Sequence, residues 1–241
     1  MKKILVLLVL LLAAVTAAAQ QPLFETRKLT DNAYLFRYAF HQSLFVVTPD
    51  GVIATDPIAY LRPVAATTYL AEIRKITQAP IKYLVYSHHH YDHAAGAKPF
   101  KEAGARIIAH RNAKARLEAL RHAETLAPDE GVGDFHVIEL GGVRLELHYT
   151  GRNHSDNSLV MILPKDKLAF TVDFVSVESV GFRDFPDGFF PDWLDSLDRV
   201  VALDWERMIG GHPYAGGRYA TKDDVRAQKQ FLLDLNEAVR V

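Results

Sequence analysis

Apolar and polar residues alternate, or gather in short apolar blocks bounded by Gly, Pro, Asn and Asp, over most of the chain. This spacing predicts short strands interleaved with amphipathic helices. Residues 33–38, 44–47 and 52–55 predict three strands, the last two joined by the turn Pro49-Asp50-Gly51, and Asp56-Pro57 ends the third. Between 63 and 76, Val64, Leu70, Ile73 and Ile76 recur on one helical face, with Glu72, Arg74 and Lys75 largely opposite. An apolar strand follows at 81–86, then a helix running through 99–103 that stops at Gly104, a strand at 106–109 and a helix at 112–124 started by Asn112. Residues 125–134 form an irregular acidic loop. Strand signals resume at 135–140, 143–149, 158–163 and 167–172, separated by Gly141-Gly142 and Pro164-Lys165-Asp166, and Met208-Ile209 gives a last one. Residues 191–203 and 221–239 predict helices, with Asp192 and Thr221 as caps. A mixed series of strands and helices given twice over fits two packed sheets covered by outer helices.

The chain begins differently. Lys2-Lys3 precede an apolar run from Ile4 to Leu12 that grades into Ala17-Ala18-Ala19, the basic, apolar, small-residue order of a signal peptide. Residues 1–19 are therefore expected to be a leader cleaved near Ala19, and 20–241 one domain, periplasmic or secreted and without a stable membrane anchor. There is no cysteine, so neither disulfides nor thiolate ligands contribute. Lys plus Arg total 28 against 29 for Asp plus Glu, and losing Lys2 and Lys3 makes the balance more acidic. Without a basic track for phosphates, a nucleic-acid partner is disfavoured and a small-molecule substrate expected.

Candidate chemistry is concentrated in Ser87-His88-His89-His90-Tyr91-Asp92-His93, directly after the 81–86 strand. In an extended segment alternate side chains share a face, so His88, His90 and Asp92 are expected to project together, with Tyr91 away and His93 at the turn into the next helix. Ala94-Ala95-Gly96 supplies small residues for close packing beside them. His154 follows in a turn-rich segment, Asp173 at the end of the 167–172 strand, and His212 after Gly210-Gly211. Imidazole and carboxylate are standard zinc ligands.

The order His88-x-His90-x-Asp92-His93, His154, Asp173, His212 resembles the metallo-β-lactamase fold superfamily, over nearly all of the mature chain. Relatives commonly carry Gly-His-Thr where this chain has Asn153-His154-Ser155, and Thr-Gly-Asp where it has Thr171-Val172-Asp173. The resemblance implies a four-layer αβ/βα sandwich, two mixed sheets flanked by helices, with the site at their shared edge. It also implies a first metal on His88, His90 and His154, a second on Asp92, His93 and His212, and Asp173 bridging the two. Without cysteine the thiolate-ligand classes of metallo-β-lactamase are not matched, and Ala94 stands where another class has a further histidine. Asp173 as bridge resembles hydrolases of glyoxalase II or lactonase type.

Two zinc ions per chain are thus expected, with iron or manganese as alternatives, and a hydroxide between them would attack an ester-like or amide-like carbonyl: lactone, thioester or β-lactam. Asp92 would orient that nucleophile or relay its proton, and Tyr214 would donate to the oxyanion. A persulfide dioxygenase-like iron enzyme and a non-catalytic metal-binding accessory protein are the alternatives. The aromatic segment after Asp173 carries Phe185, Phe189 and Trp193, which either pack the next helix or wall the site. Arg183 there is a further candidate contact for a substrate carboxylate. His41, in Phe40-His41-Gln42-Ser43, lies in a loop that in relatives approaches the site but is read as incidental, His89 as pointing away from His88 and His90, and His110, His122, His136 and His148 as structural or exposed.

Overall fold

Gly51–Thr55, Leu159–Leu163 and Leu168–Thr171 are strands buried at every position in the computed structural model, which describes residues 22–181, 185 and 187–240, because the middle of each sheet is covered on both faces. Seven strands form the first sheet in sequence order: β1 (Phe24–Lys28), β2 (Ala33–Tyr38), β3 (His41–Thr48), β4 (Gly51–Thr55), β5 (Ile81–Val85), β6 (Arg106–His110) and β7 (Glu130–Val132). Pairing is antiparallel from β1 to β4 and parallel from β4 to β7. The second sheet runs β12 (Arg207–Gly210), β11 (Leu168–Thr171), β10 (Leu159–Leu163), β9 (Val143–Tyr149), β8 (Phe135–Leu140), with only β11 and β12 parallel.

The two-residue period of the strand sorts alternate side chains into different cores. On β10, Leu159, Met161 and Leu163 enter the core between the sheets, while Val160 and Ile162 face outward. On β6, Ile108 enters that same central core while Ile107 and Ala109 face the other way. Those outward faces are covered by helices. Against the first sheet lie α1 (Ala65–Ile76), α3 (Lys98–Glu102) and α4 (Arg111–Leu120), which contribute Tyr69, Ile73, Phe100 and Leu117. Against the second lie α5 (Phe190–Ala202) and α6 (Lys222–Ala238), contributing Trp193, Leu197, Val225 and Leu232. The layers are thus helix, sheet, sheet, helix, the four-layer αβ/βα sandwich. No helix among the described residues is long and apolar enough to cross a membrane.

Some elements depart from the pattern reading. β1 was not anticipated, because FETRK is largely exposed at the sheet edge and carries no buried alternation. The acidic loop contains β7, whose residues extend the first sheet beside β6. The helix expected through 99–103 has a separate predecessor, α2 (Tyr91–Ala94). Asn112 does not start α4: the His110 side chain accepts its backbone N–H. Asp192 lies in the first turn of α5 rather than capping it, whereas Thr221 caps α6 in a reciprocal box with Asp224. The leader proposed at 1–19 lies outside the described residues, as does Arg183.

Gly96 fixes how closely α2 can approach α1. Its φ is +94°, and a Cβ there would sit 2.3 Å from the Ala59 Cβ and 3.3 Å from that of Ala66. Backbone strain and overpacking act together at such a position. G96A is expected to destabilise the fold by about 1–3 kcal/mol; a thermal melt of the metal-free protein checks this, and an unchanged midpoint would show the contact to be soft.

Candidate metal centre

The chemistry gathers where strand ends of both sheets meet. Beyond β5, the buried Asp56 carboxylate accepts the Ser87 N–H at 2.7 Å, and the Ser87 carbonyl accepts the Leu159 N–H at 2.8 Å, joining the first sheet to β10 of the second. From that knot the chain bends through Ser87, His88 and His89, is extended at His90 and then turns into α2, which carries Asp92 and His93. The extended cassette expected from alternation is therefore corrected: a helical turn presents Asp92 and His93 on successive positions. His154 arrives from the turn between β9 and β10, where Asn153 is pinned through its amide to Ser196 of α5. Asp173 follows β11 with φ +69°, so the left-handed residue is the aspartate itself rather than Val172.

All seven sequence-predicted ligand residues converge, in two groups whose donor atoms lie within 4.8 Å of one another. The first holds His88, His90, His154 and Asp173; the second holds Asp92, His93, His212 and, unanticipated, His41. Asp173 stands between them: its Oδ2 is 3.5 Å from His88 Nε2, 3.7 Å from His154 Nε2 and 3.0 Å from His93 Nε2, and its Oδ1 is 3.1 Å from His212 Nε2. In the second group Asp92 Oδ2 lies 3.4 Å from His93 Nε2 and 3.1 Å from His41 Nε2.

These residues fit metal ions. His88 Nε2, His93 Nε2 and Asp173 Oδ1 are buried donors or acceptors that make no aligned hydrogen bond, although oppositely charged or polar atoms stand close. Two ligands on a tetrahedral zinc at about 2.0–2.1 Å are themselves roughly 3.3 Å apart, and many of the spacings above cluster near that value. His88 is held neutral by burial and by the other imidazoles, and burial brings His154 down to about 4, so both lone pairs are available near neutral pH. Burial alone would raise both carboxylates, but His93 and His212 hold Asp173 well below the usual range, and His93 and His41 do the same for Asp92. Burial opposes protonation of His93 as well, yet Asp173 and Asp92 outweigh it and raise its affinity for a proton.

Outer contacts orient these side chains. The His212 Nδ1 N–H donates to the Phe40 carbonyl at 2.6 Å, which turns Nε2 toward Asp173. Asp56 Oδ2 is 3.5 Å from His93 Nδ1 and has no hydrogen-bond partner of its own. Asp187 Oδ2 is 2.8 Å from His90 Nε2, a hydrogen-bond length, while His90 Nδ1 faces His154 Nε2 at 2.9 Å. His89 does not point away from its neighbour: its ring centroid is 4.6 Å from that of His90, and its Nε2 is 3.7 Å from the same Asp187 oxygen. Its backbone N–H is held by Asn157.

The aromatic segment serves packing and site together. Trp193 is buried, donates its indole N–H to the Phe174 carbonyl at 3.0 Å, and meets His154 edge-on at 6.0 Å. Phe185 packs on Trp193 in turn. Tyr214, the expected oxyanion donor, is buried and lines the cleft beside His212. Its ring belongs to the core under the second sheet and its hydroxyl goes to Thr171 Oγ1, 3.5 Å away. His110 stacks on Tyr149 and His122 on Tyr91, away from both groups.

A cleft of about 780 Å³ opens beside His212, with Leu23, Leu35, Phe40, Arg27 and Arg37 on its walls. The fold and the two ligand groups define a class: an αβ/βα sandwich with a histidine- and aspartate-rich metal centre at the edge shared by its sheets. Residues 50–212, more than half of the chain, match the model of the metallo-beta-lactamase superfamily, and the chain belongs to that superfamily. It is 23% identical over 195 residues to the 2,4-dinitroanisole O-demethylase subunit alpha of Nocardioides sp. (strain JS1661), covering 80% of this chain and 58% of that protein. It is 27% identical over 137 residues to the hydroxyacylglutathione hydrolase of Pelagibacter ubique (strain HTCC1062), covering 56% and 52% respectively. The chain thus spans little more than half the length of these curated relatives. The DIM-1 metallo-beta-lactamase shares the fold, with a TM-score of 0.76 at 20% identity over 89% of this chain and 99% of that one.

Asp56 is a residue that pattern reading treated only as a strand breaker. D56N keeps an acceptor for the Ser87 N–H but removes the negative charge beside His93. Loss of such an outer partner typically lowers metal affinity about 10–100-fold, so stepwise zinc titration should show that loss in the group containing His93; equal binding to the parent would remove Asp56 from the site.

Proposed function

We propose that this chain is a binuclear metal-dependent hydrolase of small molecules with an ester-like or amide-like carbonyl: a lactone, thioester or β-lactam. The observation that carries the reading is the pair of ligand groups joined through one buried aspartate, Asp173. His88, His90 and His154 would hold the first ion and Asp92, His93 and His212 the second, with zinc the ion that the nitrogen and oxygen donors suit best. A bound pair of divalent ions supplies Lewis acidity and an activated water near neutral pH.

The chain's own residues account for the rest. Asp173 keeps both groups in one electrostatic unit, because its two oxygens face different imidazoles. Asp92 is strongly disposed to stay ionised and is only half-buried, so it can orient a water beside the second group. The cleft beside His212 offers apolar walls with Arg27, Arg37 and Glu25 among them, Arg37 facing Glu25 at 3.6 Å, a lining that suits a small organic substrate. No basic track favours nucleic acid. A relative named as a hydroxyacylglutathione hydrolase makes a thioester the first substrate to try. Export by the leader at 1–19 belongs to the same proposal and rests on its sequence pattern alone.

Three measurements test the reading. Protein purified without a nickel column should contain two zinc ions per chain, and one iron would instead favour the oxidoreductase alternative. The zinc-loaded protein should hydrolyse at least one of nitrocefin, a homoserine lactone, S-lactoylglutathione and an aryl ester, and silence on all four would overturn the substrate class. D92N should retain the fold by circular dichroism and lose about 10²–10⁴-fold in turnover; an unaffected rate would take Asp92 out of the chemistry.

A further inference from the structure

His41 is the residue for which the superfamily pattern leaves no place, yet the structure sets it inside the second ligand group. It is the first residue of β3, opposite Tyr38 across the tight β2–β3 hairpin in which Ala39 takes φ +51°. Its side chain is 12% exposed. The ring meets that of His212 edge-on at 4.4 Å between centroids and lies 5.4 Å from that of His93. Nε2 stands 3.1 Å from Asp92 Oδ2, the oxygen that His93 Nε2 approaches at 3.4 Å. With His212, four donor atoms from three separate stretches of chain thus lie within 4.8 Å of one another.

The hairpin is held there by its backbone. The Phe40 carbonyl accepts the His212 Nδ1 N–H, the Gln42 N–H donates to the Gly211 carbonyl at 2.6 Å, and the buried Gln42 amide donates to the Gly210 carbonyl at 2.9 Å. Residues 40–42 are therefore bonded to 210–212 at three points, and His41 is carried with the His212 loop as one body. Gly211 has no room to move apart from this arrangement, since a Cβ there would meet Val172 at 2.5 Å and His93 at 3.0 Å.

We propose that His41 is a further protein ligand of the second metal, through Nε2, alongside Asp92, His93, His212 and the shared Asp173. His41 would then add to the chain's hold on the second ion from the side of the His212 loop, to which residues 40–42 are bonded. The proposal rests on the binuclear reading above.

The test uses the cobalt(II)-loaded full chain. His41 Nδ1 is fully buried, so its N–H in the ligated form is protected from exchange and visible as a hyperfine-shifted imidazole resonance. In H41A and in H41Q one such resonance should disappear, the second stepwise affinity should fall about 10-fold or more and the first should be unchanged, with the metal-free melting midpoint as control for folding. Glutamine can still donate a hydrogen bond to Asp92, so it separates ligation from mere orientation. Full recovery of affinity in H41Q, or loss of no resonance in either variant, would overturn the proposal. Fewer than two ions bound by the parent protein would instead overturn the binuclear reading on which it rests.

Discussion

A carboxylate buried among imidazoles is the constraint around which the molecule is organised. Asp173 is about nine-tenths buried, ionised and faced by His88, His93, His154 and His212. Taking a charge out of water costs several kcal/mol unless it is paired, and here the partners are histidines that burial tends to keep neutral. His93 is the exception, drawn toward its protonated form by Asp173 and Asp92 together. One proton on His93 leaves two carboxylates without a matching charge among the imidazoles, and the donor chemistry of the cluster suits a cation between them.

Such a cluster can exist without its ions only if the backbone holds it open. Residues of the site come from strand ends of both sheets, and direct bonds tie those ends together: Asp56 to Ser87, Ser87 to Leu159, Asn157 to His89, Gly210 and Gly211 to Gln42. Each of these is buried, where a hydrogen bond is strong and an unmade one costly. The three hydrophobic layers behind them fix the strands, so positional precision at the edge derives from packing elsewhere. Gly96 and Gly211 do the complementary task of keeping side chains out of contacts that α2 and the His212 loop need.

Most strands were legible because apolar blocks of four to eight residues bounded by turn residues have few other uses. What the blocks withheld was which face went where, since β10 is apolar at every position and only the fold shows that its residues serve two cores. β1 and β7 escaped notice for a different reason: the first is an edge strand of mostly exposed polar residues, and the second is a three-residue extension inside a glycine-rich loop. Among site residues, the local cassette was visible because its members are neighbours in sequence. His154, Asp173 and His212 became visible through the resemblance rather than through any local pattern. Asp56 and Asp187 carried neither signal, because each reaches the site by a long-range contact and an aspartate before proline is commonplace. His41 had only the approach of its loop in relatives, outweighed by how ordinary a loop histidine is. Tyr214 serves the core with its ring while also lining the cleft beside His212.

The β2–β3 hairpin joins two functions that the sequence presents as adjacent letters. Phe40 is 79% exposed and lines the cleft, while His41, one position on, faces inward to Asp92. Phe40 belongs to the turn and His41 opens β3, so one short segment lines the cleft and supplies a member of the ligand group. Its backbone adds a third role, since the Phe40 carbonyl sets the tautomer of His212. The wall of the cleft and two members of the second group are thereby tied to the same hairpin, His41 through the chain and His212 through a hydrogen bond.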